Sequence, residues 1–186
     1  MVFERIKTKE LIFLALMAVA WFTLDFIIGQ WINAVTGLYM IGFLAAIVSG
    51  FFGVMLVKIR PRFWTFTLTL LIWGLLALPT ASAGPVGFWP KVLIEVFVGF
   101  VADCGFYIMR YKNWSICVGF YIIVLLLYGL SIGSMVLLGV PEADKILKML
   151  PMIILGFWII GTIGLWLGFY TWRKIKNKPF VRQLQN

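Results

Sequence analysis

The sequence predicts an all-α integral membrane protein with six transmembrane helices and both termini in the cytoplasm. Three observations carry this prediction. First, the 186-residue chain is 63% hydrophobic and 12% charged, against about 45–50% apolar and about 25% charged in an ordinary soluble domain, and its mean hydropathy is +1.04. Second, six segments are long enough to cross a hydrocarbon core about 30 Å thick, which takes roughly 20 apolar residues. Third, basic residues concentrate in alternate connections, which assigns sides by the positive-inside rule.

The spans run 11–28, 32–57, 63–81, 88–109, 115–138 and 147–172, forming one membrane domain with short connections. Arg5, Lys7 and Lys9 precede the first span, and Lys58, Arg60 and Arg62 follow the second. Arg110 and Lys112 follow the fourth, and Arg173, Lys174, Lys176, Lys178 and Arg182 follow the sixth. These are 13 of the 16 basic residues, all on one side; Lys91, Lys145 and Lys148 fall on the other. The predicted location is the cell membrane, multi-pass, with the lipid bilayer as solvent. The net charge of +9 then reflects topology, and nucleic acid is not an expected partner. A rival reading makes the first span a cleaved signal peptide ending near Ala18-Val19-Ala20. Its loss would leave five spans and move the basic connections to the wrong side.

The chain has no histidine and two cysteines. Rhomboid-type serine proteases, zinc hydrolases and haem sites use histidine as base or ligand, and two distant cysteines build no metal cluster. No cofactor or metal is therefore expected. Cys104 and Cys117 fall in the cytoplasmic half, where thiols stay reduced. There is no GxxxxGK[ST] loop for a nucleotide's phosphates, so any ATP-driven step needs its energy from another chain. An enzyme using Glu95 or Asp103 as base is a minor alternative.

Taken in order, the first span contains LALMAVAWF, in which Ala15, Ala18 and Ala20 form a small-residue surface suited to docking a helix of this protein or of a partner. Asp25 ends this span, and Gln30 and Trp31 form a short loop before Asn33. Small residues recur four apart at Ser49 and Gly53 in the second span, Gly129 and Gly133 in the fifth, and Gly164 and Gly168 in the sixth. That spacing lets helices approach closely in lipid, and internal packing is favoured over dimerisation. The connection from Leu78 to Pro90 is uncharged and carries Pro79, Gly84, Pro85 and Gly87, with Phe88 and Trp89. It reads as a lid or pocket wall, or, for Trp89, as an interfacial anchor.

The fourth span poses the sharpest question, because Lys91, Glu95 and Asp103 interrupt an apolar run. At about 100° per residue, Phe88, Lys91, Glu95, Gly99, Ala102 and Phe106 share one face. Lys91 and Glu95 stand four apart and are placed to neutralise each other. A charge near the bilayer centre costs at least about 2.5–3.5 kcal/mol, so none of the three is expected to face lipid. Lys91 and Glu95 form either a self-satisfied interfacial pair or the polar floor of an aromatic pocket, and the pocket reading is preferred because the adjoining loop is also unusual. Asp103 lies off that face and reads as structural, with Arg110 or Tyr107 as candidate partners. Trp31, Asn33 and Trp89 are candidate ligand contacts, since a flat ring needs stacking surfaces and placed hydrogen bonds; an interfacial belt is their bland alternative.

The topology, the alanine patch in LALMAVAWF and the GPVGFWPKVLIEVFVGFVAD entry to the fourth helix resemble the substrate-binding S components of energy-coupling factor transporters. In that family an A-x-x-x-A motif on the first helix packs against a transmembrane coupling protein. Here Ala15 is followed four residues later by Val19, and Ala18 lies between them. The resemblance implies a membrane-embedded receptor for a vitamin or related micronutrient, with Lys91, Glu95, Phe88, Trp89, Trp31 and Asn33 at the ligand and Ala15, Ala18 and Val19 at the coupling protein. It further implies two ABC ATPases as partners and rotation in the bilayer to release substrate. Aromatic content with Glu95 points to a flat cationic compound such as thiamine or its pyrimidine precursor, while Lys91 suits a carboxylate equally. The alternative is a stand-alone secondary transporter acting as a homodimer, for which the chain shows no internal repeat. A ligand-free assembly factor is a third possibility.

Overall fold

Long apolar runs satisfy their backbone polar groups internally by folding as helices, as hydrocarbon requires. The computed structural model describes residues 8–36, 41–80, 84–141, 143–179 and 181, with side chains for all of these except 29–36 and 41–44. Among the described residues there are six α-helices and no strand: α1 Thr8–Thr36, α2 Ile41–Ile59, α3 Thr65–Ala77, α4 Pro90–Ile108, α5 Asn113–Leu137 and α6 Ala143–Ile175. Three helical stretches are long and apolar enough to cross a membrane, namely Thr8–Ile28, Asn113–Leu137 and Ala143–Ile175. α4 is more polar because Lys91, Glu95 and Asp103 fall within its 19 residues. α3 has 13 residues, a length of about 20 Å at the helical rise.

Two boundaries differ from the sequence expectation in ways that matter for function. α1 continues to Thr36, so residues 29–31 are helical rather than a loop. Trp31 and Asn33 both lie on α1, and their side chains are outside the described residues. α3 is shorter than the span 63–81. It starts after Trp64, whose φ of 75° is left-handed, and ends just before Leu78 and Pro79, where a proline disfavours continued helix.

The helices pack as a ring in the order α1, α2, α6, α5, α4, α3, closed by the contact of α3 with α1. The most extensive contact, between α2 and α6, runs along a glycine seam. A Cβ at Gly50 would lie 2.5 Å from the Gly161 carbonyl oxygen, and one at Gly164 would strike the Ile47 backbone. Only glycine lets the two backbones come this close, as packing-driven association in lipid demands. Gly164 and Gly168 thus serve internal packing, as expected. Gly129 and Gly133 do not: a Cβ at either would meet nothing within 4 Å.

Polar ties register the two ends of the ring. At one end Glu10 of α1 pairs with Arg60, and at 3.5 Å with Arg62, both just beyond α2. At the same end the Asp103 carboxylate of α4 accepts hydrogen bonds from the backbone N–H groups of Phe66 (3.0 Å) and Thr67 (2.9 Å) and from the Thr67 hydroxyl (2.7 Å) at the start of α3. Large apolar side chains such as Leu16, Leu93, Phe97, Ile122, Ile159 and Trp166 are exposed on the outside, a surface that suits lipid rather than water.

Candidate functional site

The ring encloses a cavity of about 380 Å³ lined by residues from all six helices. It extends from Phe66 and Phe106 near the Asp103 end to Gly84 and Met135 near the opposite connection. Its walls are aliphatic and aromatic, and among the described residues its two acidic groups are Asp25 of α1 and Glu95 of α4.

Helical periodicity places both acids. On α1, Leu14, Ala18 and Trp21 are buried, and Asp25 follows at the same alternating spacing of four and three. On α4 the buried positions are Lys91, Glu95, Val98, Gly99, Ala102, Asp103 and Phe106, a set that contains the face expected from the 100° repeat except Phe88, which precedes the helix and is half-buried. α3 and α4 pack closely here. A Cβ on Gly74 would lie 3.4 Å from Glu95 Cβ and Cγ, and one on Gly99 would lie 2.7 Å from Thr67 Cα. Glu95 is 4% exposed, and its Oε2 is buried with no hydrogen-bond partner; Asp25 Oδ1 and the Trp73 indole nitrogen share that condition. All three residues line the cavity. Buried polar atoms are normally hydrogen-bonded, and the exceptions call for an explanation.

Aromatic side chains are held in place around these acids. The Trp21 indole donates to Ser49 Oγ at 3.2 Å and stacks on Phe52 at 6.1 Å between centroids. Trp73 meets the edge of Phe22 at 5.7 Å, and Tyr128 lies 4.5 Å from Phe157. Trp21, Trp73, Tyr128 and Phe157 all line the cavity.

The residues singled out from sequence separate into distinct places. Glu95 lines the cavity. Lys91 does not: it is fully buried, and its Nζ donates to the carbonyls of Ala77 (2.7 Å), Thr80 (2.9 Å) and Pro85 (3.4 Å). It closes the C-terminal end of α3, where orphan carbonyls and the helix dipole favour a cation, and it ties down the following connection. Phe88 packs beside Gly84, where a Cβ would come within 3.0 Å of its ring. Trp89 precedes Pro90 at the start of α4 and is 65% exposed. In the first helix, Ala18 is buried, Ala15 is half-buried and Val19 is exposed, so the three do not share one outward surface. Asp103 has the structural role expected, but with partners on α3 instead of Arg110 or Tyr107. Sequence reasoning noted Asp25 without assigning it to the site, although a carboxylate inside an apolar span is itself a signal. Trp73 and Tyr128 gave none, being two among many aromatic residues.

No protein-family model matches the chain, and neither the curated proteins nor the solved structures contain a significant match.

Proposed function

We propose that this protein is the substrate-binding subunit of a membrane uptake system, an S component of the energy-coupling factor type, whose chain crosses the cell membrane six times with both termini in the cytoplasm. The observation that carries this reading is the aromatic cavity of about 380 Å³ inside the helical ring, within the roughly 300–1,000 Å³ usual for small-molecule sites. Glu95 contacts the ligand, while Lys91 holds Thr80 and Pro85 and Phe88 packs on Gly84 at the outer end of the cavity. The ligand is a vitamin or related micronutrient with a thiamine-like or pyrimidine-like ring. A transmembrane coupling protein and two ABC ATPases supply the energy. The charge distribution supports the topology, since thirteen of sixteen basic residues fall on one side of the proposed membrane.

Affinity purification of the tagged protein from its own host's membranes in mild detergent tests the reading. Co-recovery of a transmembrane protein and ABC-type ATPases is the expected result. Recovery of the chain alone across several detergents overturns it. A second reading, a homodimeric secondary transporter, draws on Asp25 and Glu95, because carboxylates inside a bundle are what an ion-coupled carrier needs. It predicts ion-gradient-driven uptake by the isolated chain in proteoliposomes.

A further inference from the structure

We infer that the cavity takes an organic cation bearing an aromatic ring, with its positive nitrogen held by Asp25 together with Glu95. This rests on the ligand-binding reading above and gives Asp25 a role that the sequence did not assign. The two acids come from different helices of the ring, α1 and α4, and line one cavity. Each presents a buried carboxylate oxygen with no hydrogen-bond partner among the described residues. Among the described residues no lysine or arginine lines the cavity, and the nearest cation along α4, Lys91, is directed at the carbonyls of Ala77, Thr80 and Pro85.

A carboxylate in an apolar interior is costly unless an opposite charge and hydrogen bonds accompany it. A protonated or quaternary nitrogen supplies the charge, and any N–H groups it carries reach the free oxygens. Trp21, Trp73 and Tyr128 line the same cavity, and aromatic rings, negative above and below their planes, attract a cation. An anionic ligand would meet two acids and no base. A bare metal ion fits poorly as well: among the described residues no group of three or more acidic or cysteine ligands stands together, and the cavity is far larger than one ion.

The test uses the full chain in lipid nanodiscs and three probes of nearly one shape, benzamidinium, benzamide and benzoate, with binding read by calorimetry. Benzamidinium is expected to bind at least about tenfold more tightly than benzamide, a difference of about 1.4 kcal/mol, and benzoate not to bind. Asp25→Asn and Glu95→Gln should each reduce that preference. Both variants keep the size of the side chain and replace a buried acid with a neutral amide, so they should stay folded, which thermal unfolding of the ligand-free protein checks. Equal binding of benzamidinium and benzamide, preference for benzoate, no binding of benzamidinium at millimolar concentration, or cation preference unchanged in the double variant overturns the inference. Failure of the transport reading is distinguishable. Cation-selective binding without a co-purifying coupling protein removes that reading and keeps the cation site, whereas co-purification with charge-blind binding does the reverse.

Discussion

Three charged residues on one helix do three different things, and their hydrogen-bond partners separate them. Asp103 acts as a cap supplied from a neighbouring helix. Trp64, the residue at the α3 N-cap position, makes no side-chain capping bond, and the Asp103 carboxylate takes the exposed N–H groups of Phe66 and Thr67 in its place. Asp103→Ala would strand those donors in a buried site, and charged hydrogen bonds are worth about 1.5–3 kcal/mol each. We expect a loss of about 2–4 kcal/mol in unfolding free energy, seen as a lower thermal midpoint in detergent, with ligand affinity nearly unchanged in whatever fraction remains folded. Lys91→Met should also lower the midpoint, by releasing the carbonyls at the end of α3. Glu95→Gln should leave the midpoint level or raise it while weakening binding. If Lys91→Met abolishes binding without loss of stability, its role at the carbonyls is wrongly assigned.

At the scale of elements, close backbone contact decides which helices belong together. The seam between α2 and α6 depends on Gly50, Gly161, Gly164 and Gly168, and a side chain at Gly164 would meet the Ile47 backbone rather than a movable side chain. Backbone cannot yield as a rotamer can. Gly164→Leu is therefore expected to cost about 3 kcal/mol or more and to reduce the yield of monodisperse protein. Gly133→Ala, with open space around its Cβ position, should change stability by less than about 1 kcal/mol, offset by better helix propensity. Size-exclusion profiles and thermal unfolding of the two variants side by side check this. Equal tolerance would show that the seam contributes little.

For the whole molecule, the ring order explains how residues far apart in sequence face one cavity. Asp25 and Glu95 are separated by 70 positions and line one cavity because the ring brings α1 and α4 round to either side of α3. The proposed six-span topology puts Lys112 and Lys145 on opposite sides of the membrane. In a chain with Cys104→Ser and Cys117→Ser, a membrane-impermeant maleimide added to intact cells should label Lys145→Cys and spare Lys112→Cys until the membrane is opened. Labelling of both from outside would exclude the topology.

Hydropathy, residue period and charge asymmetry are local or one-dimensional properties, and they were legible in the sequence. They sufficed for an all-helical chain, for six segments close to the six helices found, and for the buried face of α4 that carries Glu95. Where helices end was less legible, because Gly29, Gln30 and Asn33 read as a loop although no proline stops the helix through residues 29–36, while Pro79 and the left-handed Trp64 trim α3 to a short helix. What each charge does was decided only by tertiary structure. Lys91 and Glu95 share a helix face and read as a pair, yet the lysine is taken up by the carbonyls of Ala77, Thr80 and Pro85, and Asp25 arrives from α1 at the glutamate's cavity. The physical reason is that a buried charge is stabilised by whatever polar group three-dimensional packing brings within hydrogen-bond reach, and that reach crosses helices whose order around the ring no local pattern records.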